Sequence, residues 1–195
     1  AALCSDPKID IVYVATPTST HAELCRIALE AGKAVLCEKP FCRSEAEARE
    51  ILDLARSRQL FAMEAMWMRF NPLIRKAKGI LQAGDIGDVR SFHAELGYAK
   101  ETSVLGTAEE GRGARLAFGC YGVSLAVYLF GAPDGASVRI LQGGAEAEET
   151  VAVALDYPNQ VATVHVSEWA TLANDVRIFG RRGSLTIGAP FIDAT

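Results

Sequence analysis

Within its first 65 residues the chain alternates short apolar runs with helix-patterned segments, and that rhythm limits its fold more than any other feature. Ile9 to Ala15 (IDIVYVA) is a β-rich run of the kind buried in a parallel sheet. It ends in a polar loop, Thr16-Pro17-Thr18-Ser19-Thr20. Thr20 followed by Glu23 fits a capping box. The helix is expected to reach about Ala31, with Leu24, Ala28 and Ala31 on one face and Gly32 as its stop. Ala34 to Cys37 is the next apolar run. Ser44 and Glu47 make a second capping box, and Ile51, Leu54 and Ala55 give that helix its stripe. Leu60 to Ala65 reads as a third strand, interrupted by Glu64. This β-loop-α-β-loop-α-β order calls for a parallel sheet with right-handed crossovers. Three strands make a poor isolated sheet, so half of a doubly wound domain is expected.

The second run ends abruptly in Glu38-Lys39-Pro40. Two charged side chains cannot continue a buried strand. Pro40 cannot donate to a sheet ladder, and it disfavours the helical region for Lys39. The charges therefore fall at the carboxyl edge of the strand, where open parallel sheets bind ligands. Taken alone, the tripeptide reads better as an ordinary strand exit with a solvated ion pair.

The pattern changes after Met66-Trp67-Met68-Arg69-Phe70. Asn71-Pro72 is a cap followed by proline in the first turn. The spacing predicts a helix carrying Leu73, Ala77, Ile80 and Leu81 on one side and ending at Gly84. A turn, Asp85 to Asp88, leads into a long strand, Val89 to Tyr98. Ala99 to Gly113 is a polar loop long enough to be functional. Leu116 to Phe130 reads as a buried helix stopped by Gly131. Strands follow at Ser137–Leu141, Thr150–Asp156, Val161–Trp169, Asp175–Phe179 and Ser184–Ile187, with turns at 157–160 and 180–183. The fold class is thus α/β: a partial Rossmann-type parallel sheet, then an α+β domain with a mostly antiparallel sheet. Residues 1–68 are expected to be the later part of a dinucleotide-binding domain. Residues 69–195 are expected to be a substrate-binding and dimerisation domain, incomplete at its end.

A net charge of −4 argues against nucleic acid. No apolar run reaches membrane-spanning length, and the N-terminus lacks a signal-peptide pattern. Cys4, Cys25, Cys37, Cys42 and Cys120 form no metal-type spacing and sit in apolar runs, so reduced, buried thiols in a cytoplasmic protein are expected. His93 and His165 lie in strand patterns and read as structural. His21, near a helix start, reads from its position as exposed or capping.

Three segments line up: Val14-Ala15-Thr16-Pro17 with His21, Glu38-Lys39-Pro40, and Gly119-Cys120-Tyr121 with Ser124. With Trp67-Met68-Arg69-Phe70-Asn71-Pro72 they resemble the Gfo/Idh/MocA oxidoreductases, especially the branch of dimeric dihydrodiol dehydrogenases and related sugar dehydrogenases. The resemblance covers essentially the whole chain. It implies hydride transfer between NAD or NADP and a carbinol carbon of a sugar, polyol or cyclic diol. It implies catalytic roles for Lys39 and Tyr121 as neighbours across a domain cleft. It implies cofactor contacts from Thr16, Pro17, His21, Glu38, Lys39, Pro40, Trp67 and Arg69, no metal, and a homodimer or higher homo-oligomer. Without the resemblance, Tyr121 on an apolar segment reads as a core tyrosine, and Arg69 as a bridge between domains.

The chemistry is consistent with those roles. Oxidising an alcohol requires removal of its proton as the carbonyl forms. Free lysine titrates near ~10.4 and tyrosine near ~10, so each alone is a poor base at neutral pH. An ammonium beside a phenol lowers the phenol's pKa, and a Lys-Tyr pair can relay the proton. Two departures stand against the family pattern. The opening strand with its Gly-x-Gly-x-x-Gly turn is missing, since Gly111-Arg112-Gly113-Ala114-Arg115-Leu116 lacks the third glycine; roughly two βα units are expected before Ala1. Ala117 occupies the position of an aspartate four residues before the tyrosine. The 195 residues alone are therefore expected to bind NAD(P) weakly and to be inactive. The rival to the enzyme is a non-catalytic fragment or pseudoenzyme acting through its open sheet.

Overall fold

The computed structural model describes residues 2–99, 113–142 and 148–193. The chain divides into two compact units, the first ending at Met66 and the second beginning at Trp67.

The first unit contains α1 (Ala2–Ser5), β1 (Ile11–Val14), a 3-10 turn (Thr18–Thr20), α2 (His21–Glu30), β2 (Ala34–Cys37), α3 (Glu45–Ser57) and β3 (Ala62–Glu64). Its strands lie in the order β1-β2-β3, all parallel. Val14 pairs with Cys37 and Cys37 with Glu64, so the three strands finish level at one carboxyl edge. Val14, Cys25, Ala28, Leu29, Val35, Cys37, Ile51 and Ala55 form the core. Each fully buried leucine or isoleucine contributes about 1.5–3 kcal/mol.

Several local expectations need correction. The buried face of α2 is His21, Cys25, Ala28 and Leu29, whereas Ala31 is exposed and Leu24 only partly buried. The spacing is helical, but its first member is a histidine, so an apolar count slips round the helix. Thr20 does not cap α2 through its side chain; its hydroxyl bonds Thr16 and Pro17 within the preceding loop instead. Ser44 does cap α3, accepting from Glu47 N at 3.2 Å. Glu47 reaches back to Arg43 N at 3.0 Å, one residue before the position a capping box requires.

The second unit opens with a 3-10 turn (Trp67–Phe70) and α4 (Pro72–Ala83). Asn71 Oδ1 accepts from Leu73 N at 2.8 Å, and Gly84 ends the helix at φ 73°. α4 buries Ile74 and Ala77; Leu73, about 100° round the helix from Ile74, is exposed. β4 (Val89–Gly97) follows. The expected helix from Leu116 is a π-helical turn (Arg115–Gly119) running into α5 (Cys120–Phe130). β5 (Gly135–Gln142), β6 (Glu148–Asp156), β7 (Val161–Ser167), β8 (Val176–Gly180) and β9 (Ser184–Ile187) complete the unit. The loop expected between Ala99 and Gly113 falls at 100–112, outside the described residues, as do Gly111 and Arg112 of the weak glycine motif.

The sheet order is β5-β6-β7-β4-β8-β9. β4 and β7 pair in parallel, and every other neighbouring pair is antiparallel. One face buries Phe92, Ala94, Leu96, Val151, Val153, Leu155, Val164 and Val166. The alternate residues, including Ser91, His93, Glu95, Thr163 and His165, lie on the opposite face, which is exposed or half-buried. His93 is structural there, its ring nitrogens 2.7 Å from the hydroxyls of Ser91 and Thr163.

Candidate active site

The sequence-derived site residues fall into two sets, one in each unit. In the first unit, the loop after β1 and the loop after β2 leave the same sheet edge side by side. Glu38 N donates to Val14 O at 2.8 Å, and Ala65 N to Cys37 O at 2.7 Å, so the ladder continues just past the strands. Glu38 follows the end of β2 at the carboxyl edge of the sheet. One carboxylate oxygen accepts from the Tyr13 hydroxyl, and the other from Lys39 N at 3.1 Å. Glu38 is thus a structured acceptor rather than a free surface charge. Its carboxylate holds Tyr13 above the ordinary phenol range, with desolvation adding to the effect.

The Thr16–Thr20 loop is closed by its own hydroxyls. Thr16 Oγ1 and Thr20 Oγ1 are 2.7 Å apart, and Thr20 Oγ1 donates to Pro17 O at 2.8 Å. His21 lies behind it and is only 1% exposed, which corrects its reading as an exposed or capping residue. Its Nδ1 is 2.9 Å from Pro40 O and its Nε2 is 2.9 Å from Thr16 O. The imidazole therefore joins the two loops from beneath. Lys39 and Pro40 follow Glu38, half-buried, and Phe41 N donates to Glu64 Oε1 at 2.9 Å.

Two participants were not anticipated from sequence, Tyr13 and Glu64. Glu64 left a signal, since a carboxylate inside a strand run demands a partner. Tyr13 left only the alternation of its strand, in which Val14 is buried and Tyr13 exposed.

Cys25, Cys37 and Cys42 are buried, whereas Cys4 and Cys120 are partly exposed, so burial of all five is corrected. A hydrogen bond with Cys25, then burial, pushes the Cys37 thiol up. Burial, reinforced by neighbouring acidic groups, pushes the Cys42 thiol up to about 12.

In the second unit, packing does most of the positioning. The π-helical turn and the start of α5 lie against β7, and Gly122 makes the approach possible: a Cβ there would stand 2.5 Å from Val164 Cγ1. Tyr121, 6% exposed, is packed edge-on to Trp67 with ring centroids 6.1 Å apart. Arg69 is bound to α5, Nε donating to Ser124 Oγ at 2.9 Å and Nη2 to Ser124 O at 3.3 Å. Its guanidinium also lies over Tyr128, 5.8 Å from the ring centroid. Ala117 sits in the π-helical turn, its N–H donating to Gly113 O at 2.9 Å.

A groove of about 900 Å³ at another end of this unit contains none of these residues. Its arginines hold turns: Arg182 donates to Gly84 O, and Arg90 to Asn159 O and Asp88. Among the described residues no cluster of three or more His, Cys, Asp or Glu side chains is arranged to hold a metal ion. Among them, too, no helix is long and apolar enough to cross a membrane.

Residues 1–66 match the family model described as "Oxidoreductase family, NAD-binding Rossmann fold", and residues 74–186 match "GFO/IDH/MocA C-terminal domain". Trans-1,2-dihydrobenzene-1,2-diol dehydrogenase of Macaca fuscata fuscata is 37% identical over 186 residues, 93% of this chain and 55% of the relative. D-xylose 1-dehydrogenase (NADP(+)) of Hypocrea jecorina is 44% identical over 115 residues, 59% of this chain and 28% of the relative. The crystal structure of aldose-aldose oxidoreductase from Caulobacter crescentus, complexed with glycerol, superposes with a TM-score of 0.89 at 25% identity, covering 96% of this chain and 58% of that one. The chain spans little more than half the length of the dihydrodiol dehydrogenase it matches.

Proposed function

The chain belongs to the GFO/IDH/MocA oxidoreductase family, and on that premise we propose that it serves an NAD(P)-dependent dehydrogenase acting on a carbinol carbon of a sugar or cyclic diol. The observation that carries this reading is the placement of Thr16–Pro17 and Glu38–Lys39–Pro40 at the level carboxyl ends of adjacent parallel strands. That edge is where open α/β sheets take their ligands. The names of the diol and xylose dehydrogenase relatives support this substrate class.

The donor set suits the nicotinamide end of such a cofactor. A threonine hydroxyl, an ammonium and a carboxylate can meet ribose hydroxyls and a neutral amide, which need orientation rather than charge neutralisation. We assign that contact to Thr16, Pro17, Glu38, Lys39 and Pro40, and further contacts to Trp67 and Arg69; His21, buried with both ring nitrogens against backbone carbonyls, supports these loops from behind. The bound cofactor would supply the hydride acceptor. The chain's own residues handle the proton: oxidation of the carbinol leaves an O–H proton to be removed, and Lys39 and Tyr121 share that task. The Lys39 ammonium also stabilises negative charge developing on the oxygen.

The exposed face of the six-stranded sheet, with Val161 and Phe179 among its open apolar residues, is proposed to pair with a second copy as a homodimer. A second reading, a non-catalytic protein acting through that sheet, is favoured by Ala117, which supplies no carboxylate beside the tyrosine.

Lys39→Met in the intact protein tests the catalytic reading. Turnover of diols or aldoses should fall about 10²–10⁴-fold, the usual scale for a proton-transfer group. Unchanged turnover would remove Lys39 from the mechanism, and failure of the wild type to oxidise either class with NAD or NADP would favour the second reading.

A further inference from the structure

The peptide group between Pro40 and Phe41 is held on both sides by side chains from other elements. Its C=O faces His21 Nδ1 at 2.9 Å, and its N–H donates to Glu64 Oε1 at 2.9 Å. His21 opens α2, and Glu64 closes β3. Pro40 has no N–H of its own, so after Lys39 the amide of Phe41 is the next backbone donor by which this loop can be held. The second ring nitrogen of His21 faces Thr16 O, also at 2.9 Å. Carbonyl oxygens only accept, so the ring supplies whichever protons these contacts carry. With the ring proton on Nδ1, the donor on the C=O side and the carboxylate on the N–H side polarise the same peptide in the same sense, and the carboxylate contact is charge-assisted.

We propose that His21 and Glu64 are positioning residues that clamp the Pro40–Phe41 peptide and so fix the loop carrying Glu38 and Lys39. A histidine serving only to fill the core, or a glutamate serving only to end a strand, has no reason to meet its counterpart at one peptide. Here they meet immediately after the two charged residues of the sheet edge. The clamp removes a rotation of the loop that would swing the Lys39 backbone, while the Thr16 contact keeps the neighbouring loop at fixed distance. Its consequence for catalysis rests on the role proposed for Lys39; the clamp itself does not.

Hydrogen exchange in the intact protein, followed by mass spectrometry on the peptide spanning Phe41, tests it without recourse to activity. Glu64→Leu should speed exchange of that segment about 10–100-fold, the scale of losing a hydrogen bond to a charged group. Glu64→Gln keeps an acceptor and should stay near wild type, and His21→Ala should speed exchange as Glu64→Leu does. Should Glu64→Leu fail to fold, Glu64→Ser, polar but too short to reach the amide, is read in the same way. Wild-type exchange in both Glu64→Leu (or Glu64→Ser) and His21→Ala would overturn the clamp. Turnover measured alongside should show lower kcat with substrate KM little changed, restored by Glu64→Gln. If Lys39→Met leaves turnover intact while exchange quickens in the clamp variants, the clamp stands and the role of Lys39 falls. If Lys39→Met abolishes turnover while exchange is unmoved, the clamp falls and the role of Lys39 stands.

Discussion

The two sets of proposed site residues are built by different means. In the first unit, Glu38, His21 and Glu64 direct polar groups at backbone, and the loop after β2 is held by hydrogen bonds. In the second, Tyr121 is held by shape: Gly122 brings α5 down onto Val164, and Trp67 closes against the phenol ring. A polar clamp fixes orientation sharply, but each bond lost leaves a group unsatisfied. Packing spreads its energy over many contacts and responds mainly to volume. Substitutions should therefore produce different signatures in the two regions.

The largest effect is expected where chemistry and packing can be separated. Tyr121→Phe keeps the ring beside Trp67 and removes only the hydroxyl. Turnover should drop about 10²–10⁴-fold. Combining it with Lys39→Met should cost far less than the product of the two single losses, because residues acting as a unit are not additive. Additive losses in steady-state kinetics would separate their roles.

Next comes a pure packing lesion. In Gly122→Ala the new Cβ would meet Val164 Cγ1 at 2.5 Å. Overpacking of this kind costs about 1–3 kcal/mol, read from urea denaturation. Val164→Ala added to it should recover part of that loss. No recovery would mean that α5 approaches the sheet elsewhere.

Asn71→Ala should remove about 1 kcal/mol, the usual worth of a side-chain N-cap. A change well below that in the same denaturation assay would show that Pro72 and tertiary contacts hold the start of α4 without the cap.

The smallest effect is a pH signature of the first unit. Tyr13 is raised above the ordinary phenol range by its bond to Glu38. Its contribution is therefore complete below the unfolded phenol pKa of ~10 and is lost as pH rises through the higher folded value. Spectrophotometric titration should show Tyr13 ionising late, alongside Tyr157, whose phenol burial also raises, and Glu38→Gln should bring only Tyr13 back toward the ordinary range.

The large elements were legible in the sequence because their periodicity is strong. Val151, Val153 and Leu155 alternate with alanines and do line one buried face of β6. The run Ala34–Cys37 became β2 with the expected ends, since Glu38 cannot be buried without partners and Pro40 cannot join a ladder. What escaped notice were residues whose role depends on long-range partners. His21 displaced the apparent apolar face of α2 because a buried, doubly contacted imidazole occupies a position expected to be apolar. Glu64 reads as a defect in a strand, whereas in the fold it accepts from Phe41 N. The π-helical turn before Tyr121 has no marker in Arg115–Gly119 that a period of 3.6 would miss in a telling way. Local pattern records which face is buried; it does not record which backbone group a polar side chain will find.

The central claim, direct hydride transfer supported by Lys39, is tested most directly with a substrate deuterated at its carbinol carbon. The intact protein would be incubated with such a diol or aldose and NAD or NADP, and the reduced cofactor examined by mass spectrometry. Direct transfer places the deuterium in the nicotinamide ring, and Lys39→Met should lose most of that signal in the same time. Carbonyl product formed without deuterium in the cofactor, or equal labelling by wild type and Lys39→Met, would contradict it.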